Sequence, residues 1–196
     1  MAGPVKPETS KHRLQRSPDL TGGYLTRFRQ VWLRHGLPGA LLGLLCLAHP
    51  EMRLMLVASL EGFVTNPVKY VTVALFILGA LISCIWVIDR GTDARAVGWI
   101  LYALAISVWE EWVFRLAVPY FAQAQGASLF AAIVLSNLAF GVLHYFTLRW
   151  KWQWCLVAFV GGMLFSRMLH THADLALVIA VHWISTLLNT PRPPGG

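Results

Sequence analysis

The sequence predicts an all-α fold, a polytopic membrane helix bundle of about six transmembrane helices. Three observations carry this. The 196 residues are 57% hydrophobic and 13% charged, where a soluble domain carries about 25% charged residues. Apolar runs of the length that crosses a bilayer, about 20 residues each, recur along the chain. The charges collect between those runs, with one exception at residues 110–115.

Residues 1–30 form a basic leader, expected to be disordered on account of its polarity and of Pro4, Pro7 and Pro18. Seven of the sixteen basic residues lie before Gly36, opposed there only by Glu8 and Asp19. Lys/Arg-rich flanks stay cytoplasmic and can touch anionic lipid, a better reading of this leader than nucleic-acid binding. No cleavable signal peptide is read, because the first apolar run begins only near Val31.

Residues 31–96 supply two accessory segments. The first is apolar over 31–49, interrupted at Pro50-Glu51-Met52-Arg53 and resumed over 54–64. It reads as one crossing with a break or an interfacial piece at Pro50. The second, 68–88, is long enough to cross, and a polar loop from Asp89 to Arg95 follows. Spans at 97–123, 128–148, 155–169 and 174–189 then make 97–190 a core of four helices. They are joined by an uncharged turn at 123–128, a basic aromatic belt from Arg149 to Trp154, and a His170-Thr171-His172 loop with Asp174 as a helix cap. Residues 191–196 are a Pro-rich tail.

With the amino end cytoplasmic, six crossings place Arg90/Arg95, Arg149/Lys151 and Arg192 on one side, as the positive-inside rule requires. Lys69 and Arg167 lie near span ends, where they can snorkel. Cys46, Cys84 and Cys155 sit in apolar runs and read as small buried hydrophobes. Gly161, Gly162 and Ser166 read as a close helix-packing surface. Nothing in the sequence sets an oligomeric state.

The exception is Glu110-Glu111-Trp112-Val113-Phe114-Arg115, inside an otherwise apolar span. A central Arg, Lys or Asp costs about 2.5–3.5 kcal/mol on insertion. If Glu is similar, three charges cost about 7–10 kcal/mol before pairing. Ionisable groups at membrane depth are functional-site candidates by default. Glu111 and Arg115 are four apart and share a helix face, which suits an ion pair. Glu110 is turned about 100° away from Glu111 and is not committed to that pair. Phe140 and His144 share a stripe on the next helix, and His182, Thr186 and Asn189 share one on the last.

In lipid, three such stripes must face one another or a wet cavity. Their meeting point would hold a carboxylate, two imidazoles and an amide, a set that can activate water. Glu110 would take the proton, and His144 would orient the water or share the proton. His182 and Asn189 would donate to a developing oxyanion.

The pattern Glu-Glu-x-x-x-Arg (Glu110, Glu111, Arg115), Phe-x-x-x-His (Phe140, His144) and a late His (His182) resembles the CPBP family of intramembrane proteases, which includes the CAAX prenyl endopeptidases and bacteriocin-processing proteins. The resemblance covers about half the chain. It implies a glutamate-dependent endopeptidase whose partners are the bilayer and a membrane-anchored protein or peptide, with no nucleic acid. By that likeness Glu110 and His144 activate water, while His182 with Asn189 or Thr186 forms the oxyanion site. Glu111, Arg115 and Phe140 are supporting. Where the family often has Asn or Asp four residues after the last His, this chain has Thr186, so the fourth polar role falls to Asn189 or Thr186.

No cofactor or metal is expected on the favoured reading. The alternative is zinc, since family members have been described as metalloproteases; His-Glu-x-x-His is absent. A narrower resemblance is to compact bacterial sorting proteases of the myxosortase type, which remove a carboxyl-terminal anchor and sit in the inner membrane. The rival classes are a non-catalytic scaffold or chaperone that binds a partner helix, and a proton-relay transporter. The small size and the lack of repeats weigh against transport.

Overall fold

The computed structural model describes residues 28–89 and 94–189, with the side chains at 84, 85, 87–89, 95, 96, 188 and 189 outside the described set. Among the described residues there are eight helices and no strand. They are α1 (Phe28–Cys46) and α2 (Pro50–Ser59), α3 (Glu61–Thr65), α4 (Pro67–Asp89), α5 (94–124), α6 (Leu129–Leu148), α7 (Trp152–His172) and α8 (Leu175–Asn189). The expected leader, the Arg90 loop, the Pro-rich tail and the Cys84 side chain lie outside the described residues.

Three helices, α5 from Val97, α6 and α7, are long and apolar enough to cross a membrane. The described apolar parts of α4 and α8 are shorter, at Pro67–Ser83 and Leu175–Leu187. The break expected at Pro50 is a bend of 107° between α1 and α2. Large apolar side chains line the outside of the bundle, among them Phe76, Phe130, Leu135, Phe146, Leu156 and Leu164. A surface this apolar belongs in lipid, not water. The chain is a multi-pass membrane protein.

Turn chemistry fixes the helix ends. Ser128 caps α6 by accepting from Ala131 N, and Asp174 caps α8 by accepting from Leu177 N. Arg149 and Ala173 take left-handed backbone at the ends of α6 and α7. The His170–His172 loop is corrected: these residues are the last turn of α7. Of the paired glycines, only Gly162 faces a close neighbour; a Cβ at Gly161 would meet nothing.

Two helices widen to a π turn, α1 over Trp32–Gly36 and α5 over Trp112–Ala117. Each wide turn is followed by a proline, Pro38 or Pro119. Proline has no N–H for the carbonyl four residues back, and its ring collides with that carbonyl. The wider turn opens this clash at Arg34 and at Arg115. In α5 the disturbed turn is secured from α6, where Ser136 Oγ donates to Phe114 O at 2.6 Å. The corner of α1 and α2 packs on it through Cys46 and Met52, against Trp112, Val113 and Phe140.

Candidate active site

The two glutamates stand on the regular turn of α5 directly before its π turn. π turns inside α-helices occur frequently at functional sites. Glu111 is fully buried and pairs with Arg115 as its spacing predicts, with Nε to Oε2 at 2.9 Å and Nη2 to Oε1 at 3.2 Å. Arg115 Nη1 also donates to Asn137 Oδ1 at 2.7 Å, and the guanidinium lies 4.7 Å from the centroid of Phe140. Asn137 is held in turn, its Nδ2 donating to Ser166 Oγ at 3.0 Å and to Ile133 O at 2.9 Å. The guanidinium is thus satisfied on several sides, as a buried ion pair requires.

Glu110 points elsewhere, and three imidazoles surround it. His144 on α6 places Nε2 at 3.7 Å from Glu110 Oε1. His182 on α8 places Nε2 at 3.5 Å from Glu110 Oε2. The nearest is His35 on α1, whose Nε2 lies 2.8 Å from Glu110 Oε1. The outer nitrogens are engaged too. His144 Nδ1 is 2.7 Å from Phe140 O, and a carbonyl can only accept, so that nitrogen carries the proton. His182 Nδ1 sits 2.7 Å from Glu111 Oε1, off the line of a well-formed hydrogen bond. Glu111 therefore stands between Arg115, to which it is hydrogen-bonded, and the His182 ring in close contact.

A cavity of about 150 Å³ opens on this cluster between α1, α5 and α6. Glu110, His35 and His144 reach its wall, and the rest is mostly apolar, including Gly39, Leu42 and Phe140. Such a volume has room for several waters or a stretch of extended chain. Among the described residues, His35, Glu110 and His144 could also ligate a metal, their donor atoms lying within 4.8 Å of one another. Two ligands on one tetrahedral zinc stand about 3.3 Å apart. The 2.8 Å contact of His35 with Glu110 is that of a direct hydrogen bond, shorter than this spacing.

Of the residues singled out from sequence, Glu110, Glu111, Arg115, Phe140, His144 and His182 come together. Thr186 lies one turn beyond His182, half-buried. The Asn189 side chain lies outside the described residues. The sequence reading missed His35. It missed Asn137 as the second partner of Arg115. For His35 a signal exists: it is an ionisable residue inside the first apolar run, three residues before Pro38.

The helical bundle and its buried carboxylate–imidazole cluster define a polytopic membrane protein with an ionisable site inside the bundle. Residues 92–188 match the family model described as type II CAAX prenyl endopeptidase Rce1-like, and the chain carries a domain of that family, within the CPBP proteins. The domain is that of an intramembrane endopeptidase. No curated protein and no solved structure matches the chain.

Proposed function

We infer that the protein hydrolyses a peptide bond of a membrane-anchored protein with water activated at Glu110. The observation that carries this is the placement of Glu110: a nearly buried carboxylate on a cavity wall, ringed by His35, His144 and His182. Glu110 takes a proton from water as the water oxygen bonds to the scissile carbonyl carbon, and His144 Nε2 orients that water. The carbonyl oxygen becomes an oxyanion, held by donors on α8, with His182 and either Asn189 or Thr186 as the candidates. Collapse breaks the C–N bond, and the proton on Glu110 passes to the leaving amine. No metal or cofactor takes part. Fixed donors and a dry wall are what make such stabilisation strong.

In its finer form the reading is removal of a carboxyl-terminal sorting anchor from exported proteins, in a bacterial inner membrane with the amino end cytoplasmic. The test uses a reporter protein ending in one apolar helix and a basic tail, reconstituted with the protease in liposomes. Wild type shortens the reporter, and Glu110→Ala and His144→Ala insert normally but do not. Processing by Glu110→Ala at the wild-type rate would refute the role of Glu110.

A further inference from the structure

We propose that His35, on the amino-terminal helix and outside the matched domain, is a positioning residue that shares one proton with Glu110 and holds its carboxylate at the cavity. The argument is one of hydrogen-bond roles. His35 Nδ1 lies 2.9 Å from Thr147 Oγ1, whose single proton can reach either that nitrogen or Leu143 O at 2.7 Å. On the other side Nε2 stands 2.8 Å from Glu110 Oε1, and two lone pairs do not approach so closely without a proton between them. The ring is thus fastened at both nitrogens, and its Nε2 proton is shared with the carboxylate.

This gives each buried carboxylate its own partner. Arg115 pairs with Glu111, and His35 pairs with Glu110. The second carboxylate thus acquires its partner from a different helix, four helices earlier in the chain. The π turn of α1 contains His35, so Pro38 helps to set the approach of the ring. The contact also chooses between the two oxygens. Oε1 is tied to His35, while Oε2 is left beside His182.

This rests on the reading of Glu110 as the base, and the experiment keeps the two apart. The full chain is assayed in liposomes with the same reporter. His35→Ala is expected to lower kcat roughly 10- to 100-fold through misplacement of the carboxylate, with KM little changed. His35→Gln, whose amide reaches as far as Nε2, restores most of the rate. His35→Asn, which reaches only Thr147, does not. Equal rescue by both, or by Asn alone, would overturn the proposal in favour of a packing role. Independently of activity, nitrogen NMR of ¹⁵N-histidine-labelled protein in detergent is compared with that of Glu110→Gln. The His35 ring nitrogens should shift, and unmoved resonances would overturn the proposal even in a protein that cleaves nothing. One equivalent of zinc retained by wild type and lost in His35→Ala would overturn proton sharing as well. A reporter cut equally by wild type and Glu110→Ala would remove the base reading, leaving the NMR comparison to decide the His35–Glu110 link.

Discussion

Trp112 Nε1 donates to Gly43 O at 3.1 Å, fastening α1 to the first residue of the π turn that follows the glutamates. The contact is possible because Gly43 has no side chain. A Cβ there would stand 2.9 Å from Trp109 Cζ3 and closer still to Cε3. Gly43→Ala should therefore push α1 away from α5, costing about 1–3 kcal/mol as overpacking does. Thermal unfolding in detergent would read the loss. Gly39→Ala in the same helix, where a Cβ meets nothing within 4 Å, should leave the midpoint unchanged or raise it.

The pair of Arg115 with Glu111 sets a second expectation. Arg115→Ala strands a fully buried carboxylate, and breaking a buried pair costs about 3–5 kcal/mol. Arg115→Lys keeps the charge but loses the fork that spans Glu111 and Asn137, so it should fall between Ala and wild type. The yield of folded, monodisperse protein after extraction measures both. Gly162→Ala should weaken the same network, because its Cβ would overlap the Asn137 amide and crowd Arg115 Nη2 at 3.2 Å.

Helical periodicity made much of this site legible. The spacings of Glu111 to Arg115 and of Phe140 to His144 put each pair on one face, and apolar-run length located α5 to α8. What periodicity could not show is which helix comes to rest against which. His35 was missed for that reason: its place inside an apolar run marks it as a candidate, but its partner Glu110 is 75 residues away, and the run does not name that partner. The π turns were hidden because Pro38 and Pro119 lie within apolar stretches that read as unbroken. The 107° bend was visible as a break, since Pro50 stands among polar residues, but its angle depends on packing of Cys46 and Met52 against α5.

Gly39 offers a test of the cavity that does not touch the chemistry. It lines the opening, and an added Cβ would meet open space. Gly39→Leu should fill the cavity from α1 without straining the helix, since Leu is a good helix former. Expected are an unchanged or raised unfolding temperature and a loss of reporter cleavage. Undiminished cleavage by Gly39→Leu would show that substrate reaches Glu110 by another route.

Removal of metal separates the two chemistries that a carboxylate and imidazoles can perform. On the proposed mechanism the carboxylate of Glu110 is itself the base, and no ion is needed to generate hydroxide. Prolonged dialysis against EDTA or 1,10-phenanthroline, followed by assay with the same reporter, should leave the rate within about twofold of untreated protein, a change of about 0.4 kcal/mol in the barrier. The converse outcome is equally specific. Loss of activity restored by zinc but not by magnesium would make His35, Glu110 and His144 three protein ligands with a fourth position for water. In that event His35→Gln should fail to rescue, because an amide that can donate to a carboxylate is a poor substitute for a zinc-binding imidazole.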